Sequence, residues 1–258
     1  MIRRLILTFW LFASAAWAQS DVAPKPAGES GTVTVAVASN FLVTARDIAA
    51  VFEAETGHEV ALVHGSTGKL FAQIRAGAPF DVFLAADQAR PNRLAEVGAA
   101  VDIKTYAVGR LALVHGPATE PGDLRALLAR EGMRFAIADP AVAPYGVAAR
   151  EVLRAALGEG WDQNLVKGES VGQAFTFVAT GNVDAGLVAL SQPKTYEGEI
   201  WVLEIDARDH TPILQDAALL TQGADKAAAQ TFYEFLSTDF VRFILQDAGY
   251  VIPTEARE

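Results

Sequence analysis

The sequence predicts an α/β fold with largely parallel sheets, and three observations carry that prediction. Short apolar runs alternate with longer amphipathic segments along residues 33–247, the pattern of strands joined by crossover helices. The amphipathic segments keep a helical period: after Asn40, apolar side chains fall at Phe41, Leu42, Ala45, Ile48, Ala49 and Phe52, one face of a helix. With 51% hydrophobic residues and no cysteine, the chain must hold its fold by packing, without disulfides.

Residues 1–18 stand apart from that fold. Arg3 and Arg4 precede the apolar run LILTFWLFASAA, and Ala16-Trp17-Ala18 is an A-x-A cleavage pattern. This is the layout of a secretory signal peptide cleaved after Ala18. Residues 19–30, QSDVAPKPAGES, form a flexible lead-in rich in Pro, Ser and Gly. No later run reaches the roughly 18 uncharged apolar residues of a spanning helix. The expectation is a soluble, exported protein without membrane insertion. It has no cysteine after the cleavage site to carry a lipid. Losing two arginines leaves 19 basic and 31 acidic residues, a net −12. So acidic a chain suits neither nucleic acid nor an anionic membrane, and an anionic ligand would have to be held by local groups.

Strands are expected at 33–38, 59–64, 81–86, 105–115, 134–138, 185–190 and 200–205. Helices are expected at 41–55, 68–76, 88–97, 121–130, 146–157, 171–180 and 224–247, the last broken near Ser237 and ended by Gly249 and Pro253. The run TYAVGRLALVH (105–115) is longer than its neighbours and holds Gly109 in its middle. A glycine inside a strand marks a bend or a close approach, so the chain is expected to cross between two lobes there. A return near 213–223 gives lobe I as 31–109 and 217–258, and lobe II as 110–216.

Four helix entries share one chemistry: Ser39-Asn40, HGSTGKLF (64–71), DPAVAPYGVAARE (139–151) and GESVGQAFTFV (168–178). Each puts Gly, Ser, Asn or Pro where the chain enters a helix. Taken singly, such residues cap the helix. Taken together, they also suit a binding site, because first-turn N–H groups sit at the positive end of the helix dipole.

Enzyme motifs are missing. Gly65 and Gly68 in GSTGK have two residues between them where a P-loop needs four, and Leu70 stands where its magnesium-binding hydroxyl would be. There is no G-x-S-x-G elbow. His58, His64, His115 and His210 form no i,i+4 pair, which leaves zinc without a ligand pattern. Asp81 and Asp87 could serve as acid/base groups or cation ligands, but the structural reading, capping the helix that follows, is the better supported.

The segments VAVASNF, HGSTGKLFAQIRAGAPFDVFLAAD, ADPAVAPYG, GESVGQAFTFVATGNVDAGLVALSQ and AGYVIP together resemble the molybdate-binding proteins of ABC importers, over nearly all of residues 33–253. The resemblance implies a two-lobed periplasmic-binding-protein fold that closes on a tetrahedral oxyanion by hinge motion. Each lobe would be a mixed, mainly parallel sheet flanked by helices, with the ligand cleft between the lobes. It places ligand positions on Ser39, Asn40 and Ser66 in lobe I and on Tyr145 and Val171 in lobe II. It also implies a monomer in the periplasm, a membrane permease as partner, no catalysis and no cofactor. Molybdenum enters only as bound molybdate or tungstate. One position departs from the pattern: some members have a tyrosine ligand where this chain has Ala189, and Asn40 and Tyr145 are read as its replacement.

Molybdate is a dianion without a proton, so its oxygens only accept hydrogen bonds, and hydroxyls, an amide and backbone N–H groups suit it. A protonated phosphate wants an acceptor that this set does not offer. Sulfate passes the same test, so a sulfate- or thiosulfate-type receptor is the alternative. A secreted α/β hydrolase using Ser39 or Ser66 is the more distant one. Lys69, one turn into its helix, is expected to point into solvent.

Overall fold

The computed structural model describes residues 30–119, 123–158 and 165–253. The expected signal peptide, its cleavage site and residues 19–29 of the lead-in lie outside them. Lobe I begins with β1 (Thr32–Ala38), α1 (Leu42–Thr56), β2 (Glu59–Gly65), α2 (Thr67–Arg75), β3 (Val82–Leu84), α3 (Ala89–Glu96) and β4 (Ala100–Gly109). Lobe II is built from β5 (Leu111–His115), α4 (Leu124–Leu128), β6 (Phe135–Ala138), α5 (Pro144–Leu157), β7 (Leu165–Gly168), α6 (Val171–Ala179), β8 (Ala185–Ala189), α7 (Ser191–Lys194) and β9 (Trp201–Glu204). The chain returns to lobe I with β10 (Ile213–Leu220), α8 (Ala227–Phe235) and α9 (Asp239–Asp247).

Each lobe carries a five-stranded sheet, ordered β2-β1-β3-β10-β4 in lobe I and β7-β6-β8-β5-β9 in lobe II. Both are mixed and mainly parallel. One strand in each runs against the rest: β10 pairs antiparallel with β3 and β4, and β5 pairs antiparallel with β8 and β9. Each reversed strand is the first one after the chain changes lobes.

Period-two alternation sends Val33, Val35 and Val37 of β1 to one face, against Phe41, Phe52 and Phe232. Ala36 faces the other side, with Leu70, Phe83 and Leu94. Lobe II has a separate core around Leu113, Phe135, Ile137 and Leu187. Local chemistry sets the helix ends: Gly57 closes α1 in the left-handed conformation at φ 74°. Pro144 opens α5 where its missing N–H costs nothing.

The structure corrects several elements of the sequence reading, among them strand β10, which lies where only a crossing is expected. The run 105–115 is two strands in different sheets, divided at Arg110. The expected 216/217 boundary falls inside β10, whose residues Ile213–Asp216 already pair with β4, so the return to lobe I precedes Ile213. The 224–247 helix is broken near Ser237, as expected, into α8 and α9, with Thr238 capping α9 through the Val241 N–H. Strand β7 and helix α7 have four residues each, too few for a period to register. Of the helix expected at 121–130, the described part is Leu124–Leu128, capped by Asp123.

Candidate functional site

Parallel strands deliver helix starts to one end of each sheet, the edge where open α/β sheets bind ligands. Strand β1 runs into a 3-10 turn at Ser39–Phe41, and β2 runs through Ser66 into α2. From lobe II, β6 leads to Pro144 and Tyr145 of α5, and β7 leads through Ser170 to Val171 of α6. The four entries singled out in the sequence meet here. Ser39, Asn40, Ser66, Tyr145 and Val171 line one small cavity of about 10 Å³, together with Thr67, Ala86 and Pro144. No charged side chain is among its described lining.

The side chains are held in defined roles. Ser66 Oγ accepts the Lys69 N–H at 3.3 Å as the cap of α2, which leaves its own proton free to donate. Ser39 Oγ accepts the Gly172 N–H at 3.1 Å, a bond from one lobe to the other, and its proton is free in the same way. Val171 opens α6, where its N–H has no acceptor within the helix. Its carbonyl takes a bond from Gln192 Nε2 at 3.3 Å, and Gln192 Oε1 accepts the Ala189 N–H.

The polar heads of Asn40 and Tyr145 are engaged behind the cavity. The Asn40 Nδ2 group donates to Gln215 Oε1 at 3.0 Å and to the Tyr250 hydroxyl at 3.2 Å, while its Oδ1 is buried without a partner. The Tyr145 hydroxyl accepts from Gln215 Nε2 at 3.3 Å and lies against Gly109, where an added Cβ would meet it at 2.2 Å. Both polar heads face the crossing strands. Tyr145 is the second residue of α5 and Asn40 stands in the turn that opens α1, so the backbone N–H of each is a first-turn donor. Burial, and then the neighbouring Tyr250, push the Tyr145 phenol well above its usual pKa, so it stays neutral.

Behind the cavity lies a buried polar network that the sequence reading missed. Tyr106 donates to Gln215 Oε1 or to the Ala85 carbonyl, both at 3.2 Å. Ser191 Oγ donates to the Asn40 carbonyl at 3.1 Å, and the Tyr250 hydroxyl reaches the same carbonyl at 2.9 Å. A signal was present: Gln215 and Asp216 are polar residues inside an otherwise apolar strand, and polar groups there need partners.

The remaining candidates take structural roles. Asp81 is fully buried and accepts the Thr34 N–H at 2.9 Å and Lys226 Nζ at 2.7 Å, tying β1 to the segment before α8. Asp87 accepts the Arg90 N–H at 3.1 Å at the start of α3. His64 is exposed on the edge strand β2, and among the described residues no three His, Asp or Glu side chains are placed to hold a metal ion. Lys69 is exposed, as expected, and there it pairs with Glu169 of lobe II at 2.5 Å. Three wider grooves lie outside the cavity: one of about 380 Å³ carries Asp87 and Glu151 with Arg90, one of about 490 Å³ carries Asp123, Glu204, Asp206 and Asp209 with Arg125, and one of about 360 Å³ carries Lys104 and Arg242. None of them gathers the four helix entries.

Residues 33–251 match the profile of a family described as bacterial extracellular solute-binding protein. The molybdate-binding protein ModA of Rhodobacter capsulatus is 43% identical over 232 residues, covering 88% of this chain and 90% of that protein. The solved structure of the Azotobacter vinelandii periplasmic molybdate-binding protein superimposes with a TM-score of 0.79 at 34% identity, over 86% of this chain and 100% of that one. The sulfate-binding protein SubI of Mycobacterium tuberculosis superimposes with a TM-score of 0.70 at 15% identity, over 88% of each chain, a likeness of fold alone.

Proposed function

Because the chain belongs to the bacterial extracellular solute-binding proteins, in the branch of the molybdate-binding ones, we propose that it captures molybdate and hands it to the permease of an ABC importer. Tungstate has the same charge and shape and is captured alike. The protein works as a monomer in the periplasm, after removal of residues 1–18, and does no chemistry on its cargo. The observation that carries this reading is the cavity whose lining is uncharged and is supplied by helix starts of both lobes. The hydroxyls of Ser39 and Ser66 and the backbone amides of Asn40, Tyr145 and Val171 are its donors.

The energetics favour such a set. Helix N-termini each offer a dianion roughly 0.3–1 kcal/mol near the surface and up to about 2 when partly buried. Neutral donors also leave no charge stranded when the cleft empties, whereas a buried lysine or arginine without its counterion is costly.

A thermal-shift panel with molybdate, tungstate, sulfate and phosphate tests the reading. At a hundredfold excess over Kd, a ligand that binds only the folded state adds about 2.7 kcal/mol. That moves the Tm of a chain this size by roughly 5–10 °C. The expected responders are molybdate and tungstate. A shift with sulfate and none with those two reassigns the protein as a sulfate receptor.

A further inference from the structure

The lobes touch beside the cavity through glycines. Gly68, second residue of α2, donates its N–H to the carbonyl of Val142 in lobe II at 2.9 Å. A Cβ on Gly68 would stand 2.8 Å from that oxygen and 3.0 Å from the Val142 Cα. Both atoms are backbone, so neither can swing aside, and an alanine there would hold the lobes apart. A second contact lies at Gly172 of α6, where a Cβ would meet the Ser39 Cβ of lobe I at 3.1 Å. Gly68 comes two residues after Ser66, and Val142 comes immediately before Ala143 in the cavity wall. The depth of closure and the room left for a ligand are therefore set by the same backbone.

We propose that Gly68 is a positioning and size-determining residue, the stop whose bare Cα lets the lobes approach until the donors of both reach one anion. It touches no ligand itself. The proposal rests on the oxyanion reading for its ligand but not for its geometry, since the contact joins protein to protein. Within lobe I the nearest atom to the added Cβ would be the Arg90 Nη2 at 3.2 Å, the far end of a flexible side chain that can give way, and the backbone has an ordinary φ, so α2 would accept alanine. Gly68→Ala should thus leave the ligand-free fold as stable as before, or more so, while damaging closure.

The test compares the mature wild type with Gly68→Ala and with Gly116→Ala, a control whose added Cβ meets nothing within 4 Å. Closure is read by zero-length carbodiimide coupling of Lys69 to Glu169, detected as a linked peptide by mass spectrometry, with and without molybdate. Affinity is read by calorimetric titration with molybdate, and fold integrity by the ligand-free Tm. For Gly68→Ala we expect the linked peptide to fall several-fold. Affinity should drop about tenfold or more, the equivalent of one charged hydrogen bond lost, and the ligand-free Tm should not fall. The control should match wild type. Wild-type linkage in Gly68→Ala overturns the stop, as does a lowered ligand-free Tm or the absence of any linkage in wild type. If linkage is lost in the variant but wild type ignores molybdate, the stop stands and the ligand assignment falls.

Discussion

Replacing Ser66 with alanine is expected to cut molybdate affinity about ten- to more than a hundredfold, while Lys69→Ala costs no more than about fivefold. The first figure follows from losing a hydroxyl donor to a desolvated dianion, roughly 1.5–3 kcal/mol at 1.4 kcal/mol per tenfold. Ser66 is 3% exposed and has its proton free because its oxygen already accepts the Lys69 N–H. The same substitution removes the cap of α2, about 1 kcal/mol, and should lower the ligand-free Tm by roughly 2–4 °C. Lys69 and Glu169 lie at the cleft mouth with side chains 47% and 70% exposed, and exposed ion pairs contribute about 0–1 kcal/mol, screened by salt. Calorimetric titration of both variants at low and high ionic strength separates the two effects. If Lys69→Ala is the more damaging and strongly salt-dependent, a cation holds the ligand and the neutral-donor site is wrong.

Gly109→Ala should destabilise the protein by about 1–3 kcal/mol through overpacking, a Tm loss of roughly 2–12 °C. The added Cβ would stand 2.2 Å from the Tyr145 hydroxyl and 2.6 Å from Gln215 Nε2. Tyr145 is 1% exposed and Gln215 is fully buried, so neither has room to retreat. Removing the hydroxyl should recover part of the loss, so Gly109→Ala in a Tyr145→Phe background should cost less than in wild type. Thermal melts of the two single variants and the double variant measure that coupling. Strict additivity would mean that the glycine is there for some reason other than the phenol.

Sequence periodicity reached the lobes' architecture because their strands are short apolar runs between well-patterned helices. It reached the five candidate positions through resemblance in residue order, which places helix starts without giving the direction of a side chain. Asn40 and Tyr145 show the difference. Both line the cavity, but their polar heads turn to Gln215 of a strand far along the chain. Lys69 shows it too, since its partner Glu169 belongs to the other lobe. Strand β10 was read as a crossing, not as a strand, because Gln215 and Asp216 interrupt its apolar run. Those residues are polar for a tertiary reason: Gln215 serves the network behind the cavity, and Asp216 accepts from Thr105 at 2.6 Å and Gln88 at 3.1 Å.

Gly109 and Ile213 are opposite partners at the end of the antiparallel β4–β10 ladder. Topologically, then, lobe I contains a β-hairpin, and the whole of lobe II occupies the place of its turn. A two-residue Asn-Gly turn is the ordinary link for such a pair, so joining Gly109 to Ile213 through it should close lobe I upon itself. Most of what that excision needs is already in place. Lobe I has its own core on both faces of its sheet, and among its described buried apolar residues only Ala38, Ala86 and Ile213 cluster with the core of lobe II. The shortened chain should unfold in one cooperative thermal transition, with no response to molybdate because the lobe II donors, Tyr145 and Val171, are gone. A broad, non-cooperative melt would show instead that lobe I depends on its insert to fold.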